Sequence, residues 1–216
     1  MSKFVILLGG DLVRTPRLDA ALSGARMIAA DSGIRHATAL GVTPELWIGD
    51  FDSIGEIDVE PHADVPREVY PEEKDSTDGE LAAEAALVRG ATSLVLAGAF
   101  GGPRADHAFL HMTAAIRLAE GGKPVVLTSG LEEGMPVMPG RSEFDYTDGT
   151  LFSILAFSPL SGLSVSGAKW PLENVEIAFG SSLTMSNEVR GKLRITLREG
   201  RALLLARPET HLPSAG

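Results

Sequence analysis

The chain has 216 residues, of which 44% are hydrophobic, enough for one large domain or two small ones; with no cysteine it excludes disulfides, thiolate metal centres, iron–sulfur clusters and cysteine nucleophiles. A net charge of −10 argues against a broad nucleic-acid surface, and no apolar run approaches the roughly 20 residues of a membrane helix. The charge is uneven: residues 1–150 carry 12 Lys and Arg against 24 Asp and Glu, residues 151–216 carry 7 against 5.

In chain order, "MSKFVILLGGD" lacks the h-region and cleavage site of a signal peptide, so cytoplasmic residence is expected, and "KFVILL" reads as a buried strand. Pro16–Leu22 reads as a short helix, "ARMIAAD" as a second strand and "IRHATALG" as a helix closed by Gly41. "LWI" is a brief third strand that runs into "GDFDS", and "REVYP" a fourth. Thr77–Arg89 is the clearest helix, with capping-box spacing between Thr77 and Glu80, an apolar stripe of Leu81, Ala85 and Val88, and Gly90 as its stop. "SLVLAG", the helix from Asp106 to Ala119 and "KPVVLTS" complete an alternating series, which predicts parallel crossovers and a doubly wound sheet. From Met135 onward the apolar runs "TLFSILAF", "GLSVSG", "VEIAFG", "KLRITLR" and "ALLLA" have the spacing of an antiparallel sandwich or barrel. The expected organisation is therefore an α/β domain over 1–132 with a mostly parallel sheet and an all-β sandwich or barrel-like domain over 133–216, joined by a linker at about 130–140.

Open α/β sheets bind ligands beyond the carboxyl ends of their strands, and the acids fall there: Asp31 after the second strand, Asp50 and Asp52 after the third, Asp75 and Asp78 before the strong helix. Converging carboxylates repel one another unless a cation compensates, and without thiolates the hard oxygen donors favour Mg²⁺, whose usual further ligands are water and substrate phosphates. "GAFGGPRADH" adds glycines that let backbone N–H groups approach an anion, a phosphate-matching Arg104, and the positive end of the next helix. No Walker sequence, complete Gly-x-Gly-x-x-Gly or Gly-x-Ser-x-Gly elbow is present, and His107 and His111, four apart, lack the glutamate of a zinc-protease helix. In "KWPLENVEIAFGSSLTMSNEV", Trp170 offers an aromatic face beside a polar cluster of Ser181 to Glu188, although the local pattern favours a hairpin with a core tryptophan.

In this order the motifs resemble the thiamine pyrophosphokinase family: "ADSGIRHA" resembles Ala-Asp-Gly-Gly, "GDFDSI" its acidic motif, "KDSTDGELA" Lys-Asp-x-Thr-Asp-x-x-x-Ala, "GGPRADH" Gly-Gly-Arg-x-Asp-His, and "FGSSLTMSNE" its Ser-Asn segment. Ser32 stands at the first glycine of the first motif, Pro103 is an extra residue before Arg104, and His111 occupies a position where asparagine is often found. The resemblance implies an N-terminal α/β domain, a C-terminal β-sandwich, a homodimer, and transfer of pyrophosphate from Mg-ATP to the thiamine hydroxyl with release of AMP. It implies Asp50, Asp52 and Asp78 as Mg²⁺ and phosphate-chain acids, with Asp106 in the same crevice. Asp31, Lys74, Thr77 and Arg104 are then the residues around ATP, and Ser186, Asn187 and Thr184 those around thiamine, with Trp170 as its aromatic platform. Asp78 and Asp106 are the candidate acceptors of the hydroxyl proton. Two alternatives stay open: a pyrophosphokinase with another acceptor such as a hydroxymethylpterin, and a non-catalytic thiamine- or nucleotide-binding regulator.

Overall fold

The computed structural model describes residues 2–51, 60–70 and 76–208, and its contacts divide the chain into two compact units, Met1–Ala114 with Lys123–Gly130, and Ala115–Gly122 with Leu131–Gly216. The first unit holds strands β1 (Lys3–Leu7), β2 (Arg26–Ala30), β3 (Leu46–Gly49), β4 (Arg67–Val69), β5 (Ser93–Ala97) and β6 (Val125–Thr128). Helices α1 (Pro16–Leu22), α2 (Arg35–Leu40), α3 (Asp78–Val88) and α4 (Ala105–Glu120) alternate with them, the residues of α4 from Ala115 onward being assigned to the second unit. The strand order is β6-β5-β1-β2-β3-β4, every pair parallel. The chain steps outward from β1 to β4 and then resumes on the other side of β1, so the order reverses between β1 and β5. That is where a doubly wound sheet opens a crevice.

Alternation along the strands supplies a core on each face. Val5, Leu7, Ala29, Trp47, Val95 and Ala97 pack with Leu18, Leu22, Ile34, Ala37 and Leu40 on one side. On the other, α3 packs against β1, β2 and β3. Its buried residues are Ala82, Ala83 and Ala86, whereas Val88 is 87% exposed, which corrects the predicted Leu81–Ala85–Val88 stripe. Alanine lets a helix lie close to a sheet, and a pattern weighted by the larger side chains selects the wrong face. The ends of α3 are as predicted, with a complete capping box at Thr77 and Glu80. Its stop is a Schellman closure in which Ala91 N–H donates to Ala86 O and Gly90 N–H to Leu87 O.

The second unit is antiparallel throughout its strands: β7 (Glu133–Val137), β8 (Gly140–Phe144), β9 (Leu151–Ala156), β10 (Leu160–Ala168), β11 (Leu172–Ile177), β12 (Asn187–Leu197) and β13 (Ala202–Arg207). One sheet runs β7-β13-β9 and the other β11-β10-β12-β8, and β12 joins them because Asn187 and Glu188 pair with β9 while Leu193–Leu197 pair with β8. Inward residues from both sheets, including Phe152, Ile154, Leu163, Leu193, Ile195 and Leu204, make one apolar core; burying each such side chain stabilises the fold by about 1.5–3 kcal/mol. The linker expected at about 130–140 is instead strand β7 and the start of β8. Its Glu, Gly and Pro content reads as loop locally, but Met135 and Val137 pair with Leu204 and Ala202 of β13, a partner too distant in sequence for local pattern to reveal. No helix among the described residues is long and apolar enough to cross a membrane.

Candidate active site

At the carboxyl ends of β1, β2 and β5 lies a cavity of about 770 Å³, entirely within the first unit. Its lining comes from Leu8–Gly10 after β1, Asp31 and Ser32 after β2, Ser76–Glu80 at the start of α3, and Gly98–Ala99, Gly101, Pro103 and Arg104 between β5 and α4. Two helix starts therefore open on it, and their unsatisfied N–H groups and positive dipole ends favour an anion there.

Three acids from three segments meet at this crevice. Asp31, Asp50 and Asp78, each half-buried, bring carboxylate oxygens within 4.8 Å of one another. Asp31 opens a 3₁₀ turn, Asp31–Ile34, with φ 45°; Asp78 is the first residue of α3; Asp50 follows β3. Strand position places Asp31 among the acids converging on one crevice, while the family resemblance puts it beside ATP; the fold brings it into the cluster with Asp50 and Asp78. Asp52, Lys74 and Asp75, from the same predicted constellation, lie outside the described residues. Of the two glycine positions in the Asp31 motif, the one taken by Ser32 carries no left-handed φ. Gly33 is the sterically required one, since a Cβ there would lie 2.1 Å from the Leu7 carbonyl oxygen.

Other predicted residues divide by what their side chains already do. The Thr77 hydroxyl donates to Glu80 and accepts from the Glu80 amide, so it serves the cap of α3 at the cavity wall. Arg104 holds Asp106 through two parallel bonds, Nε to Oδ1 at 3.0 Å and Nη2 to Oδ2 at 2.8 Å. Asp106 does not line the cavity, and the Arg104 guanidinium keeps its carboxyl at about 2, below the ordinary 3.8. That makes it a poor proton acceptor, against the expectation that named it beside Asp78. Because the folded chain favours the charged form, any stabilisation by this exposed pair is present above the ordinary carboxylate range and lost as pH falls through about 2. NMR titration is expected to give an Asp106 midpoint near 2, moving back toward 3.8 in Arg104→Gln; a midpoint near 3.8 in the parent chain would show that the pair does not persist in solution.

Sequence reasoning passed over Arg35 and set aside the His107–His111 pair, and all three line the cavity. Arg35 donates through Nη2 to the Gly9 and Gly10 carbonyls. His107 and His111 stand edge to face, ring centroids 6.3 Å apart. His111 Nδ1 lies 3.1 Å from the Ala99 carbonyl, so that nitrogen carries the proton, and burial pushes the ring's pKa down. For Arg35 the available signal was the basic pair in "IRH", one turn past Asp31.

In the second unit, Trp170 is 55% exposed, which corrects the expectation of a core tryptophan. Asn187 brackets its backbone, accepting from Trp170 N at 3.1 Å and donating to Trp170 O at 2.8 Å, while Lys169 Nζ stands 4.8 Å from the ring centroid. Thr184 is buried and donates to Ile154 O at 2.7 Å. Thr184 and Asn187 thus brace the turn on which Ser186, with φ 57°, is exposed.

Comparison with known proteins assigns this arrangement. Residues 20–127 match the thiamin pyrophosphokinase catalytic domain, and residues 141–201 match the vitamin B1 binding domain of the same enzyme. The chain belongs to the thiamin pyrophosphokinase family. It is 30% identical over 167 residues to thiamine pyrophosphokinase of Bacillus subtilis strain 168, covering 75% of this chain and 77% of that protein. The crystal structure of Bacillus subtilis thiamine pyrophosphokinase superposes with a TM-score of 0.84 at 25% identity, covering 96% of this chain and all of the other. That of Geobacillus thermodenitrificans gives 0.79 at 26% identity, with 98% and 99% covered. The Candida albicans thiamin pyrophosphokinase shares the fold, with a TM-score of 0.80 at 14% identity over 96% of this chain and 90% of that one. Thiamin pyrophosphokinases are pyrophosphoryl transferases, and both parts of this chain fall within that family.

Proposed function

We propose that the protein transfers the terminal pyrophosphoryl group of Mg-ATP to the hydroxyl of thiamine, giving thiamine diphosphate and AMP. The observation that carries the reading is the meeting of Asp31, Asp50 and Asp78 beside a cavity at the switch point of the sheet. Three hard oxygen donors at this spacing fit Mg²⁺, with Asp52 a further candidate ligand. When bound, the ion supplies positive charge to the polyphosphate oxygens.

The starts of α3 and α4 offer N–H donors to the phosphates, and Arg35, Arg104 and Lys74 offset the charge that develops on them. The thiamine oxygen forms its bond to the β-phosphorus as the bond from that phosphorus to the α–β bridging oxygen breaks, so AMP leaves and two phosphates move together. Asp78 is the candidate acceptor of the hydroxyl proton. Trp170 and Ser186 offer a ring face and a hydroxyl to the thiazolium-bearing substrate, on a turn held by Thr184 and Asn187. We take the protein to act as a cytoplasmic homodimer, and the exposed Phe179, Leu183 and Met185 of the second unit support an apolar contact there.

The vitamin B1 binding match favours thiamine over a pterin as acceptor. Incubation with Mg-ATP and thiamine is expected to yield AMP and thiamine diphosphate in equal amounts. ADP with thiamine monophosphate, turnover only with hydroxymethylpterin, or thiamine binding without turnover would each overturn the reading.

A further inference from the structure

We infer that Trp47, which is not itself a cavity residue, is the positioning residue of the acid cluster, holding both Asp31 and the Asp50–Phe51 segment in the backbone conformations that bring their carboxylates together. The inference rests on the cation-site reading above. Asp31 and Phe51 have φ of 45° and 63°, in the left-handed region that side chains with a Cβ adopt at a cost. Such conformations persist only where the surroundings over-determine them. Trp47 contacts both. Its indole N–H donates to the Asp31 carbonyl at 2.9 Å, and its ring stands edge-on to that of Phe51, centroids 5.0 Å apart.

Trp47 can act as an anchor because nothing about it is loose. It is fully buried in β3, its amide donates to Pro66 O at 2.8 Å, and the Arg67 guanidinium lies 4.7 Å from its ring centroid and 5.6 Å from that of Phe51. A buried indole N–H needs an acceptor, and here that acceptor is the peptide carrying Asp31. Two positions on in β3, on the same face, Gly49 brings the backbone so near that an added Cβ would lie 3.3 Å from Asp31 Cα. One side chain therefore fixes two of the three acids from behind, as the outer partners of metal ligands do.

The test is calorimetric titration with Mn²⁺ alone. Trp47→Phe keeps a ring opposite Phe51 and deletes the indole N–H, and it is expected to weaken Mn²⁺ binding about tenfold in protein shown to be folded by circular dichroism. Phe51→Leu removes the ring contact at a partly exposed position and is expected to act in the same direction; it carries the test should Trp47→Phe not fold. Leu94→Ala truncates the core at the far end of β5, and it is expected to lower the melting temperature while leaving affinity within about twofold. Parent-like Mn²⁺ binding by both folded ring variants, or an equal loss in Leu94→Ala, overturns the role of Trp47. Asp78→Asn separates the two readings: if it too binds Mn²⁺ like the parent, the acids are not the cation site and the inference falls with that reading; if only Asp78→Asn is weakened, the inference alone falls.

Discussion

Asp31→Asn is expected to lower kcat/KM for thiamine diphosphate formation by about 10²–10³-fold, while leaving the metal-free protein at least as stable as its parent. The substitution is close to a pure change of charge. Asparagine has the shape of aspartate and tolerates the left-handed φ of 45° at this position, and the Trp47 bond is to the main-chain carbonyl, which stays. Without a cation, three carboxylates within 4.8 Å repel one another, by about 1 kcal/mol per pair at a water-accessible site. Removing one charge ends two of the three repulsions and should therefore raise the melting temperature in chelator by about 4–8 °C in a chain of this size. With Mg²⁺ present that advantage shrinks or reverses, because the parent gains more from the ion than the variant does. Activity followed by AMP release, and melting with and without Mg²⁺, check both halves. A variant within about threefold of parental activity would remove Asp31 from the chemistry, and one less stable in chelator would show that the charge serves structure.

The contrast between Asp31 and Trp47 shows where sequence reading reached and where it stopped. Strand ends carry ligands in every open α/β sheet, so the acids after the second and third strands could be assigned to one crevice from position alone. Which acids touch depends on backbone turns of a few residues, and the left-handed φ at Asp31 has no local signature, since aspartate is not glycine. Trp47 read only as part of "LWI", because a hydrogen bond to a peptide 16 residues earlier is a tertiary fact. The same limit hid the Arg104–Asp106 pair, which "GGPRADH" presents as two separate candidates. It also hid β7, whose partner β13 is the last strand among the described residues. The helices were legible where capping and stop residues mark them, and α3 failed only in its rotation, where alanine rather than leucine makes the contact.

The floor of the crevice gives the largest expected effect on stability. Gly98→Ala is expected to destabilise the fold by about 3 kcal/mol or more, lowering the melting temperature by about 6–12 °C. Gly98 has φ +80°, and a Cβ there would stand 2.4 Å from the Leu8 carbonyl oxygen. Neither side can yield cheaply. Leu8 N–H donates to Ala97 O, Gly10 N–H to Gly98 O and Gly98 N–H to Thr128 O, so this one residue is tied to the ends of β1 and β6 at the point where the strand order reverses. Gly90, at the end of α3, separates the two costs: its φ is +86°, and an added Cβ would meet nothing within 4 Å. Gly90→Ala should therefore cost only the left-handed penalty, about 1–2 kcal/mol, and leave turnover unchanged. Gly98→Ala adds the collision, and the backbone shift that relieves it displaces the glycine loop, raising the KM for ATP by about tenfold or more. Urea unfolding and ATP-dependence of both variants decide the matter. Equal losses in the two would mean that the strand ends at the switch point give way freely, and that the phosphate site is not preorganised by them.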